Sequence, residues 1–204
     1  EWGIDPGESE QTQDRKARLF IEQLKRLYRM QAELLEVKTV SNLDTLAQRQ
    51  TDLADNAADL SRQSSVSALI EFGLQDVATL QYQAAEAIVS DDGSQKQCQQ
   101  EALEMLSVMI GVAAKQLTQE TPSDNDTEKR LKSTHSETLS LIRLLQQRLH
   151  VEVNPLLQIA ELTDEQKQQL DMLVQRQAEI VEALNQIHRT KGEPDDDKGE
   201  SDVE

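Results

Sequence analysis

Three histidines, one cysteine and many carboxylates are the side chains in this chain that could do chemistry. His135 and Glu137 stand two residues apart, as do His150 and Glu152. On a helix that spacing turns two side chains about 200° from one another, so neither pair can chelate one ion. The Glu-x-x-His signature of di-iron bundles is missing, and so is His-Glu-x-x-His. His188 is isolated near the end of a helical segment, where a cation complements the helix dipole. Cys98 has no partner for an intrachain disulfide and reads as inert. The seven glycines are scattered, so no phosphate-cradling loop forms, and Gly-x-Ser-x-Gly does not occur. Paired acids such as Glu33 and Glu36 read as exposed-face charges rather than a general acid and base. The expectation is a protein that is not an enzyme, with no catalytic, cofactor-binding or metal-binding residue and no cofactor.

The net charge of −17 becomes informative once it is located. Residues 1–14, 120–128 and 190–204 carry −5, −4 and −5, which leaves a helical remainder of about −3. The acid therefore sits in solvating segments, and the helices present a mixed, nearly neutral surface. With no cationic stripe to displace counterions, nucleic acid is excluded as an expected partner. No run approaches 18 apolar residues, so no membrane-spanning segment is expected. The chain begins at Glu1 rather than Met, and it reads as a processed form or a fragment of a longer protein whose targeting information is missing.

The elements that would position any site are helices. Only 7 Gly, 4 Pro and 2% aromatic residues in 204 are too few for strands and turns, and helix formers dominate. Leu43, Leu46, Gln50, Leu53, Ala57 and Leu60 recur at spacings of three and four, and Leu170, Leu173, Gln177, Ile180, Leu184 and Ile187 repeat that frame. This is a helix–helix packing seam. Both copies lie in near-identical strings, LDTLAQRQ at 43–50 and LDMLVQRQ at 170–177. A glutamine occupies the same seam position in each, and Gln31 does so after Phe20, Leu24 and Leu27. Two readings of these glutamines stay open: hydrogen bonding across helices that fixes register, or a drifting frame that leaves them at the solvent rim.

The pattern predicts six helices: 12–38, 43–62, 66–90, 95–119, 127 to the Asn154-Pro155 stop, and 163–189. Trp2 and Ile4, in an irregular lead-in, could dock on one of them. A phase change at Ser64-Ser65 separates the second from the third. Asp91-Asp92-Gly93 should end the third with Gly93 in the left-handed conformation. Ser94 with Gln97 and Thr163 with Gln166 read as capping boxes. Residues 103–117 leave hardly any polar face, which marks the fourth helix as the bundle centre. Gly73, Ala84 and Ala87 facing Gly111, Ala113 and Ala114 would bring the third and fourth backbones close. The expected fold is all-α, an elongated antiparallel bundle with coiled-coil-like packing. Residues 1–11 form an acidic lead-in, 12–189 the bundle and 190–204 a disordered tail, with hairpins 12–62 and 127–189 flanking a central hairpin 66–119.

One resemblance adds to this reading. Leu74 and Val77, the turn Asp91-Asp92-Gly93-Ser94-Gln95, then Gln99, Leu103 and Leu106, together with Leu46-x-Gln48-Arg49-Gln50-x-x-Leu53, resemble helical regions of large, uncharacterised envelope-associated proteins of planctomycete-type bacteria. In those, an Asp-x-Gly turn followed by Thr-Gln joins two helices, whereas here Ser94-Gln95 follows the glycine. The resemblance covers about residues 20–119 and implies an exported or periplasmic interaction region without known chemistry. The expected function is a non-enzymatic scaffold or protein–protein interaction module that binds a protein partner or itself through helical seams. The alternative is a bundle that carries a small apolar ligand beside Met105 and Met109.

Overall fold

The computed structural model describes residues 10–37, 43–63, 67–119 and 127–191. Among these there are six helices and no strands: α1 (Glu10–Leu35), α2 (Leu43–Ser61), α3 (Ala68–Ser90), α4 (Gln95–Gln119), α5 (Thr127–Leu157) and α6 (Asp164–Lys191). The all-α bundle read from the periodicity is therefore present. Residues 1–9 of the lead-in with Trp2 and Ile4, the Ser64-Ser65 pair and residues 192–204 of the acidic tail lie outside the described residues, while residues 10–11 and 190–191, expected in the lead-in and tail, are helical.

The apolar stripes explain the packing. Phe20, Leu24, Leu27 and Leu34 of α1 and Leu46, Leu53, Ala57 and Leu60 of α2 are all buried. α2 packs most extensively on α3, α3 on α4, and α4 on α1, while α1 and α2 touch only lightly. This closes a ring of four helices. α5 lies against α4 and α3, and α6 against α5 and α3. The main core runs through Ile70, Leu74, Leu106, Met109, Leu141 and Ile180, and a small second cluster joins Leu149 and Leu156 of α5 to Leu173 of α6.

Four local expectations need correction. The left-handed residue after α3 is Asp91 (φ 53°) rather than Gly93. The helix ends at Ser90, three residues before the glycine, and Asp92 N–H reaches the Ala87 carbonyl at 3.1 Å, which puts Asp91 at the left-handed position. Aspartate enters that region more readily than most residues because its short polar side chain can bond locally. The Ser94–Gln97 capping box is not formed either. Ser94 Oγ donates to Asp92 Oδ2 at 3.2 Å, a charged and therefore stronger acceptor, and Gln97 bonds Glu101 at 2.9 Å. Thr163 and Gln166, by contrast, do form their box: Thr163 N–H donates to Gln166 Oε1 at 2.9 Å and Gln166 N–H to Thr163 Oγ1 at 3.3 Å.

Pro155 does not stop α5, which continues to Leu157. Pro155 lacks the amide that would donate to the carbonyl four residues back, but only Leu156 and Leu157 follow it in the helix. Burial of Leu156 against Leu149 and Leu173 holds the last turn in helical register. Finally, Gly111 does not face α3. A Cβ there would lie 2.7 Å from a Glu137 carboxylate oxygen on α5, whereas a Cβ at Gly73 would lie 2.6 Å from Met109 Sδ on α4. Met109 and Gly111 are two residues apart and so point to opposite sides of α4.

Candidate functional site

Two buried polar clusters stand out, one in the four-helix ring and one where α6 meets α3. The first is a layer of amides. Gln31, Gln50 and Gln81 are 0% exposed and Gln99 is 3% exposed, one from each of α1 to α4. Gln50 Nε2 donates to Gln31 Oε1 at 2.7 Å, Gln81 Nε2 to the same oxygen at 3.0 Å, and Gln99 Nε2 to Gln50 Oε1 at 2.9 Å. Gln31 Nε2 completes the layer with a longer bond of 3.4 Å to Gln50 Oε1. Gln31 lies late in α1 and Gln50 early in α2, and Gln81 and Gln99 repeat this in α3 and α4, so consecutive helices run antiparallel through the layer.

Of the two readings of the seam glutamines, cross-helix bonding is therefore what Gln31 and Gln50 do. Gln177 is half-buried on α6 and outside the layer. Gln81 and Gln99 were missed in the sequence, although a signal exists. Leu74, Val77, Gln81, Ala84 and Ile88, and likewise Gln99, Ala102, Leu106, Met109 and Ala113, step at three and four, and all of them are buried. Each of the four helices thus carries a glutamine on its own seam.

The second cluster is ionic. Arg176 of α6 is 9% exposed and Asp76 of α3 is 2% exposed. The guanidinium donates from Nη2 to Asp76 Oδ2, its Nη1 lies 3.8 Å from Glu152 Oε2 of α5, and it stacks 5.2 Å from the Phe72 ring centre. Beside it, Arg148 Nη1 of α5 lies 3.8 Å from Glu101 Oε2 of α4. Burial pushes the Asp76 carboxyl above its ordinary value, with the attraction of Arg176 pulling the other way. Burial raises Glu152 as well, and the nearby Asp76 charge adds to that. Nε of both arginines is buried without a hydrogen-bond partner, so the cluster is imperfectly paired. Asp76 and Arg176 were not singled out in the sequence. An acid one residue before Val77 and an arginine one residue before the seam glutamine read as solvent-facing until their partners are known.

Asp76 is closed off, and its neighbours tie α3, α5 and α6 together. Among the described residues no group of three His, Cys, Asp or Glu could hold a metal ion. His150 is exposed, with its Nε2 at 3.2 Å from Asn154 Nδ2. The side chains of His135 and His188 fall outside the described residues. Cys98 is half-buried and burial raises its thiol, which keeps the reactive thiolate scarce. Glu33 and Glu36 are exposed. Met105 and Met109 are packed, 2% and 0% exposed. A half-open groove of about 180 Å³ lies between α1 and α2, floored by Leu27, Met30 and Leu60 and rimmed by Arg26 and Asp59.

No protein family, no curated protein and no solved structure matches this chain. Among the described residues no helix is long and apolar enough to cross a membrane.

Proposed function

We propose that the chain is a non-enzymatic helical interaction module, part of a larger protein, that binds a protein partner or a second copy of itself through the outer face of the α5–α6 hairpin. The observation that carries this is the apolar surface there. Val174 and Val181, one heptad apart on one face of α6, are 62% and 40% exposed. Exposed apolar side chains gathered on one element mark interaction surfaces more often than isolated ones do. The envelope setting implied by the resemblance belongs to this proposal. The carrier reading has less support, because Met109 itself fills the space over Gly73.

Sedimentation of the intact chain over a range of concentrations tests the reading, together with capture from the native source. The wild type should self-associate or retain a defined partner. Val174→Lys with Val181→Lys should abolish this while keeping the helical content, and deleting residues 190–204 should change only a salt-dependent on-rate. Unchanged association of the double variant would move the site elsewhere, and loss on tail deletion alone would assign recognition to the acidic segment.

A further inference from the structure

Charge is unevenly shared among the helices. Residues 14–29 of α1 hold six basic side chains, Arg15, Lys16, Arg18, Lys25, Arg26 and Arg29, against Asp14 and Glu22. That is +4 in a chain of −17, so the rest of the molecule carries −21. Arg15, Arg18, Glu22, Arg26 and Arg29 step at three and four along one face of α1, and all five are exposed. Arg18 pairs with Asp14 at 3.0 Å and Lys25 with Glu22 at 2.8 Å, and the excess of cations remains. The expectation of an evenly mixed helical surface therefore fails at α1, which carries a cationic stripe about 21 Å long. Among the described residues α1 touches only α2 and α4, so no other helix covers the stripe. Across the groove beside Arg26, Asp59 of α2 is paired with Arg62 at 2.7 Å.

The topology attaches acid at the same end of the bundle. Consecutive helices run antiparallel from α1 to α4. α5 reverses α4, with Arg148 opposite Glu101 and Glu137 opposite Lys115, and a six-residue connection turns α6 back along α5. The start of α1, the end of α4, the start of α5 and the end of α6 thus share one end. Residues 1–9, 120–126 and 192–204 are joined to the helices there, with three, three and seven acidic side chains.

We propose that residues 192–204 lie along the stripe of α1 as an electrostatic strap, so that the chain's own acidic segment fills a polyanion-binding face. Charge complementarity selects this segment, because its seven acids and Lys198 sum to −6 against the +4 of residues 14–29. Its length suffices. Thirteen residues extend to about 43 Å. α6 stands three packing steps from α1 by way of α3 and α4, under about 30 Å at about 8–10 Å a step. Tethering makes the docking intramolecular, which favours this occupant over a separate acidic partner. The strap lies away from the α5–α6 face and leaves it open.

Paramagnetic relaxation in the full chain tests the strap, with a nitroxide on Ser201→Cys in a Cys98→Ser background. Backbone amides of residues 15–29 should be broadened severalfold more than those of Gln146 and Gln147, exposed on α5. The contrast should be present at about 0.01 M salt and gone at about 1 M, where the screening length falls from about 30 Å to about 3 Å. Arg18→Glu with Arg26→Glu and Arg29→Glu should abolish it. Should that variant fail to fold, Asp195→Asn with Asp196→Asn and Asp197→Asn makes the same test outside the bundle. Broadening spread evenly over the helices, or unmoved by salt and by both sets of substitutions, would overturn the proposal. Broadening of α1 that grows with protein concentration would overturn it too, by assigning the stripe to the acidic segment of a second copy.

Discussion

The strings LDTLAQRQ in α2 and LDMLVQRQ in α6 differ at two residues of eight, yet the molecule uses them differently. In α2, Gln50 is buried in the amide layer and Arg49 faces solvent. In α6 it is the arginine, Arg176, that is buried, and Gln177 is only half covered. Adjacent positions on a helix point about 100° apart, so a modest rotation about the helix axis exchanges which of the two goes inward. What decides the rotation is the partner. α2 meets helices whose seams offer Gln31, Gln81 and Gln99, while α6 meets a face that offers Asp76 and Glu152. A short repeat in sequence thus specifies an amphipathic helix and leaves the identity of its buried polar group to the neighbours.

The comparison can be broken most forcefully at the arginines. Arg176→Met leaves Asp76 buried without its partner and should cost about 3–5 kcal/mol in urea unfolding. The same change at Arg49, on an exposed face, should stay within about 0.5 kcal/mol. Equal costs would mean that the two copies are used alike.

Leu106→Ala offers an apolar yardstick against which both polar clusters can be read. Leu106 is 0% exposed and should lose about 2–5 kcal/mol on truncation. A surface-like response would remove α4 from the centre of the core.

A smaller effect separates the glutamines. On the seam alone, Gln50→Leu would be expected to leave stability unchanged or raise it. The layer reverses that expectation, because Gln31 and Gln99 lose their acceptor and stay buried, at a cost of about 1–3 kcal/mol by thermal or urea unfolding. Replacing all four layer glutamines by leucine removes donors and acceptors together, and should recover that loss at the expense of a unique register. The register can be followed by the dispersion of side-chain methyl signals. The smallest change is expected at the half-buried Gln177, where leucine should move stability by no more than about 0.5 kcal/mol. A Gln177→Leu cost as large as that of Gln50→Leu would mean that α6 hides an amide contact of its own.

Much of the fold was legible because period and punctuation are local properties. Phe20, Leu24, Leu27, Gln31 and Leu34 gave the buried face of α1, and the Thr163–Gln166 box marked the start of α6 within one residue. Pro155 misled because only Leu156 and Leu157 follow it in α5, and the burial of Leu156 holds that short end in the helix. Gly93 misled because the end of α3 was set by the chain before it. The amide layer was half legible: the α1 and α2 seams pointed to Gln31 and Gln50, but no seam was read through Gln81 or Gln99.

Sequence by itself determined the secondary structure, since helix propensity, apolar spacing and caps act over a few residues and carry their information along the chain. Tertiary structure alone decided which polar side chains were turned inward. Burying an amide or a guanidinium is costly unless a partner waits on another helix. The partners here lie far apart in the chain, Gln31 with Gln81 and Asp76 with Arg176, so their pairing becomes visible only after the helices have packed.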